Sequence, residues 1–135
     1  MKKIYHNLSD NLYIGGIQIF GNLYGIQNKY LKNQKMLEQF MRISAKVAKV
    51  HIIKFSKHTY KIRHGDIAGV SLVAFLEESH MVLHTWPEGN YVTIDIFSCG
   101  KRMDTEMAFY RLVSLLKPKS YKSYVADRGY TIKSI

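Results

Sequence analysis

Apolar and polar positions alternate most clearly in the middle of the chain. Across residues 80–86, Met81, Leu83 and Thr85 interleave with His80, Val82, His84 and Trp86, the two-residue period of a strand. YVTIDIFS (91–98) reads as a second strand, closed by Gly100. GVSLVAFLE (69–77) and VHIIKFS (50–56) are rich in β-branched and aromatic residues and suit strands too. Pro87-Glu88-Gly89-Asn90 is a turn by composition. YIGGIQIF (13–20) alternates loosely, as a strand weakened by two glycines would. HTYKIRHGD (58–66) is polar and reads as a loop or a strand edge.

Two stretches follow a longer period. Between 29 and 48, Leu31, Met36, Leu37, Phe40, Ile43, Ala45 and Val47 recur at three- and four-residue steps, a helical stripe. A second helix starts near Asp104, a good N-cap residue. It carries Met107, Ala108, Leu112, Leu115 and Leu116 as far as Pro118. SYKSYVAD (120–127) and YTIKSI (130–135) add edge strands. The predicted order is β-α-β-β-β-β-α-β. Short connections between 69 and 98 require antiparallel pairing. The fold class is therefore α+β: a two-layer sandwich, an antiparallel sheet with two helices on one face. Residues 1–135 form a single domain, without repeat, low-complexity segment or linker.

Composition narrows the setting. Hydrophobic residues make up 47% of the chain, enough for a packed core. A single cysteine, Cys99, allows no intrachain disulfide and fits a reducing, cytoplasmic location. The start, MKKIYHNLSD, lacks the apolar run of a secretory signal. No stretch approaches the roughly 18 apolar residues of a membrane span, so no membrane partner is expected. The formal net charge of +10 favours anionic partners. The basic residues are scattered through KYLKNQK, KVAKVHIIKFSKHTYKIRH and KPKSYK, however, and form no nucleic-acid motif. Nucleic acid is not the expected partner, and the charge has no assigned use.

The chemistry concentrates in EESHMVLHTWPEGN (77–90). Ser79 follows Glu78 at a strand boundary, where a strained peptide invites attack by the serine hydroxyl on the preceding carbonyl. Turning that amide into an ester needs a proton carrier and donors for the oxyanion. His84 is five positions on, about 16 Å along an extended strand. It must act across a bend, on a substrate lying between, or at a packed interface. If 80–86 and 91–99 form a hairpin, Cys99 comes near residues 79–80. The plainer reading competes: Ser79 as polar edge, His84 as a satisfied side chain, Cys99 as a small hydrophobe. No metal site is expected, because Cys99 is the only thiol. His51, His58, His64, His80 and His84 also lack ligand spacing.

ESHMVLHTWPEGNYVTIDIFSCG resembles the core motif of the prokaryotic S-adenosylmethionine decarboxylases: ESH, a short apolar strand, HTWPE, then acid-apolar-F-T/S-C-G. The likeness is contiguous over 77–100 and extends weakly to Gly69-Val70-Ser71 and to the helix after 104. It implies an inactive proenzyme whose Ser79 attacks the Glu78 carbonyl. β-Elimination and hydrolysis then release ammonia and leave a covalent, self-generated pyruvoyl group at position 79. The products would be a β chain, 1–78, and an α chain, 79–135. The resemblance assigns processing to Glu78, Ser79, Ser71 and His84, catalysis to Ser79, His84 and Cys99, and substrate binding to Glu88, Tyr24 and Glu78. Cys99 would return a proton to Cα as general acid, and Glu88 would hold a ribose. The implied activity is a carboxy-lyase acting through a Schiff base on an amino acid-type small molecule. S-adenosylmethionine comes first, supplying an aminopropyl donor for polyamine synthesis. The implied assembly is a homodimer of αβ pairs, two sandwiches packed together.

Outside the core motif the chain departs from that family. GIQIFGNLYGI (16–26) has Gln18 where the family has histidine and Asn22 where it has an acid. HTYKIRHGDIAGVS lacks the family's proline and is longer. Counting back from Ser71 puts Gly65 at the adenine-stacking position, and Tyr60 substitutes only if the extra residues loop out. Leu72 stands where glycine is usual. An altered pocket keeps L-ornithine and L-arginine open as substrates. A non-processing regulatory homologue is the remaining alternative.

Overall fold

Alternate residues of the central strands are buried, and they sort the sheet into two unlike faces. In the computed structural model, which describes residues 16–77, 79–99, 104–128 and 132–134, three helical segments and seven strands are formed. They are β1 (Ile17–Tyr24), α1 (Asn28–Leu31), α2 (Gln34–Val47), β2 (Ile52–Lys61), β3 (Ile67–Leu76), β4 (Ser79–Trp86), β5 (Tyr91–Ser98), α3 (Thr105–Leu116), β6 (Ser120–Asp127) and β7 (Ile132–Ser134). A 3₁₀ turn, Pro87–Gly89, links β4 to β5. The strands form one sheet in the order β2-β3-β4-β5-β1-β6-β7, and every neighbouring pair is antiparallel.

One face is the core. Ile19 and Leu23 of β1, Leu72 and Ala74 of β3, Met81 and Leu83 of β4, and Ile94 and Ile96 of β5 are all buried. They meet Leu37 and Met41 of α2 and Phe109, Leu112 and Leu116 of α3 in one cluster. This is the α+β sandwich the periodicity predicts. The opposite face carries no described helix, although it holds Phe20, Phe75, Val82, Trp86, Phe97 and Tyr124 among polar groups.

Four details differ from the sequence-based expectation. The helix foreseen over 29–48 is two helices, because the Asn33 side chain accepts the Met36 N–H at 3.0 Å and starts a new one. The first strand runs on to Tyr24, while residues 13–15 lie outside the described part. Gly21 makes that extension possible, since a Cβ there would lie 2.3 Å from the Lys122 carbonyl oxygen of β6. Residues 58–61 belong to β2 and are polar because β2 is the edge strand, with its side chains mostly exposed. The actual turn is 62–66, with His64 and Gly65 at positive φ. Finally, β6 is not an edge strand. It pairs with β1 on one side and β7 on the other. Asp104 does cap α3, accepting the Met107 N–H at 3.0 Å.

Polar contacts tie helices to the sheet. Buried Thr85 donates its hydroxyl to the Leu31 carbonyl at 2.8 Å and accepts the Val70 N–H at 2.9 Å. Thr85→Val keeps the shape and orphans both partners. It should lower unfolding free energy by about 2–4 kcal/mol, read as a lower denaturant midpoint at unchanged m-value. Glu38 of α2 takes hydrogen bonds from Lys57 of β2 at 2.6 Å and from Arg42 at 2.8 Å. Lys57 first, then Arg42, holds its carboxyl below the usual carboxylate range. A carboxyl depressed on folding adds stability above its ordinary pKa and loses it as pH falls through the folded value. Glu38→Gln should therefore flatten the acid limb of a stability-against-pH curve and leave neutral-pH cooperativity intact.

Candidate active site

The residues singled out in the sequence fall into two groups at opposite ends of β4. Ser79 opens the strand. It pairs with Ser98 of β5 on one side and Leu76 of β3 on the other. Cys99 follows Ser98 directly and is exposed, so the β4–β5 hairpin sets it beside the Ser79 end. Glu78 lies outside the described residues. The Ser79 hydroxyl sits 3.4 Å from His80 Nδ1. Across that ring, His80 Nε2 is 3.4 Å from Asp95 Oδ1. Gln18 Nε2 donates to the other carboxylate oxygen, Asp95 Oδ2, at 2.7 Å. His80, Asp95 and Gln18 come from β4, β5 and β1, and the sheet register makes them diagonal neighbours.

The second group gathers near the far end of β4. Ser71 and His84 are direct cross-strand partners, with Ser71 Oγ 2.6 Å from His84 Nδ1. The Tyr60 hydroxyl lies 3.3 Å from the same Ser71 oxygen. Residues 62–66 form the hairpin turn between β2 and β3, and strand parity puts Tyr60 on the face that Ser71 occupies. Trp86 stacks on Tyr91 at 5.0 Å with ring planes 2° apart, and Tyr24 stands 6.2 Å from Tyr91. Glu88 is exposed on the 3₁₀ turn just beyond Trp86. Asn22 donates to the Tyr24 hydroxyl at 3.4 Å.

The two groups do not touch within one copy. Both ladders of β4 run in continuous register from Ser79, so no bend shortens the path. Five residues of strand separate Ser79 from His84 by about 16 Å. Between them the open face holds a cavity of about 500 Å³, whose lining includes Phe20, His80, His84, Asp95 and Tyr124. Its walls are mixed aromatic and polar, as a small-molecule site requires. Among the described residues, no group of three or more His, Cys, Asp or Glu is placed to hold a metal ion.

Three contributors were not visible as such in the sequence. His80, Asp95 and Gln18 are spread over 77 positions, and only strand register unites them. The available signal was parity: His80 and Asp95 both fall on the polar side of their strands' alternation. Trp86 is the only tryptophan, so its emission reports on the far group. Tyr91→Ala removes its stacking partner and should shift native emission to longer wavelength. Unchanged emission would mean the rings are not stacked in solution.

Known proteins resemble this arrangement. A family profile described as S-adenosylmethionine decarboxylase matches residues 17–129. The chain is 35% identical over 115 residues to an arginine decarboxylase proenzyme of Pyrobaculum arsenaticum, covering 85% of each. It superposes on the crystal structure of the adenosylmethionine decarboxylase from Aquifex aeolicus VF5 with a TM-score of 0.73 at 27% identity. That match covers 89% of this chain and 95% of the other.

Proposed function

The chain belongs to the S-adenosylmethionine decarboxylase family, and from that premise we propose that it is a self-processing, pyruvoyl-dependent decarboxylase of an amino acid-type substrate. The observation that carries the reading is the Ser79–Ser98 pairing, which sets the Ser79 hydroxyl and Cys99 at one end of a single hairpin. Ser79 fits the role of precursor. It is half-buried at the first position of β4, with an imidazole at its hydroxyl. The Ser79 oxygen displaces the Glu78 amide to form an ester, elimination cuts the chain, and hydrolysis releases ammonia. Chains 1–78 and 79–135 result. A pyruvoyl group at position 79 would supply an electron sink for loss of CO₂. Exposed Cys99, at the same end of the hairpin, would deliver the proton to Cα in this reading.

S-adenosylmethionine is the first substrate reading. Tyr60 and the Trp86–Tyr91 stack offer flat apolar surfaces, and Glu88 beside them offers a carboxylate for a ribose diol. L-arginine is the second, favoured by the 35% likeness to an arginine decarboxylase proenzyme and by Gln18 and Asn22. Release of CO₂ from S-adenosylmethionine, arginine and ornithine, compared at equal concentration, decides between them. S-adenosylmethionine should give the highest kcat/KM. Preference for arginine would move the aromatic surfaces out of substrate recognition.

The working unit in this reading is a homodimer. The Ser71–His84 pair is about 16 Å along β4 from Ser79 in its own copy, so it reaches a Ser79 peptide only from a second copy. The open face, with its uncovered aromatics, is the surface that would pack. A two-fold contact through that face lays opposite ends of the two β4 strands together. Ser79→Ala should abolish chain cleavage, and His84→Ala should stall it. Mixed expression of the two should restore cleavage in half the sites of the hybrid dimers, because one site regains both groups. No cleavage in verified hybrids would place His84 outside the shared site. Cys99→Ala should still cleave but turn over at least tenfold more slowly. Wild-type turnover there would remove Cys99 from proton delivery.

A further inference from the structure

We propose that His80, held by Asp95 and Gln18, is the base that takes the Ser79 hydroxyl proton in the first step of self-processing. The proposal deepens the self-processing reading and rests on it. The residues assigned by family resemblance leave this first proton without a carrier in the same copy. His84 is at the far group and its Nδ1 is engaged by Ser71 at 2.6 Å. His80 Nδ1, by contrast, lies 3.4 Å from the reacting oxygen itself.

The ring is set up for that task. Asp95 Oδ1 lies 3.4 Å from Nε2; a proton carried on Nε2 is the one this carboxylate would hold, and that tautomer leaves the Nδ1 lone pair for Ser79. Gln18 fixes the carboxylate through its other oxygen at 2.7 Å. Phe97, the cross-strand partner of His80, flanks the imidazole at 5.8 Å between ring centroids. The Asp95 Oδ1 atom is covered, although the side chain as a whole is more than a third exposed, and His80 Nε2 lies 3.4 Å from it. An imidazolium formed on His80 during the step would meet that carboxylate oxygen. Contacts of this length in a resting precursor shorten when the imidazolium forms.

The step balances without a co-reactant. The Ser79 O–H proton passes to His80 Nδ1, and Oγ bonds to the Glu78 carbonyl carbon. The C–N bond to Ser79 then breaks, and its nitrogen takes the same proton back from Nδ1. The product is an ester between Glu78 and Ser79 Oγ with a free α-amine, and His80 is neutral again. His84 is left for the later breakdown of that ester. The two histidines thus divide the sequence of events.

Hydroxylamine separates the steps, because it cuts an ester at neutral pH and leaves the amide intact. Freshly purified precursors of the wild type, His80→Gln, His80→Ala, Asp95→Asn and His84→Ala would be timed for spontaneous cleavage. Parallel samples would be treated with hydroxylamine and weighed by mass spectrometry. His84→Ala should accumulate a hydroxylamine-cleavable chain. Both His80 variants should remain amide-linked and insensitive, with cleavage slowed on the order of 100-fold, and added imidazole should speed His80→Ala. Asp95→Asn should form the ester about tenfold more slowly than wild type. If His80→Gln, folded by circular dichroism, forms the ester at the wild-type rate while the wild type cleaves, His80 is not the base. A wild-type chain that neither cleaves nor forms the ester overturns the self-processing reading, and this proposal with it.

Discussion

The uninterrupted pairing of β4 on both sides governs this molecule. Each residue from Ser79 to Trp86 has a partner on β5, and those from Ser79 to His84 also have one on β3. A strand held by two ladders can neither bulge nor slip without breaking both. Its pleat assigns Met81, Leu83 and Thr85 to the core and His80, Val82, His84 and Trp86 to the open face. The same continuity keeps Ser79 and His84 apart. Whatever chemistry Ser79 performs must draw on groups at its own end of β4, such as His80, or on another copy.

The sheet is asymmetric for the same reason. One face is closed by α2 and α3 over a continuous apolar cluster. The other leaves aromatic rings such as Phe75 and Tyr124 partly exposed beside ionisable groups. That mixture is expensive on a surface meant to stay in water and suits one that closes over a small molecule against a second sheet. The hydroxyl of Thr85 shows how tightly fold and motif are joined. It lies inside HTWPE, yet it faces away from the cavity and stitches α1 to β3. A sequence motif can therefore mix residues kept for chemistry with one kept for packing.

Legibility from sequence followed the range of the forces involved. Strand parity and helical stripes are local, and they foretold the sandwich and its antiparallel hairpins. The Asp104 cap is local too. The split at Asn33 was missed because the apolar stripe continues across it, while the decisive contact is one side chain on one N–H. The interior placement of β6 depends on the backbone approach at Gly21 and has no local signature. Ser79, Cys99, Ser71 and His84 were picked out by motif. Their division into two groups became evident only with the register. The contact of His80 with Asp95, and of Asp95 with Gln18, is wholly a product of three strands lying side by side.

The central claim is that Ser79 converts itself and cuts its own chain. The most direct measurement is the intact mass of the denatured wild-type protein before and after phenylhydrazine treatment. The account expects two fragments divided between Glu78 and Ser79, with the fragment from 79 onward gaining one hydrazone. A single chain of full mass after prolonged incubation, with no hydrazone, would contradict it and leave Ser79 an ordinary serine at the head of a strand.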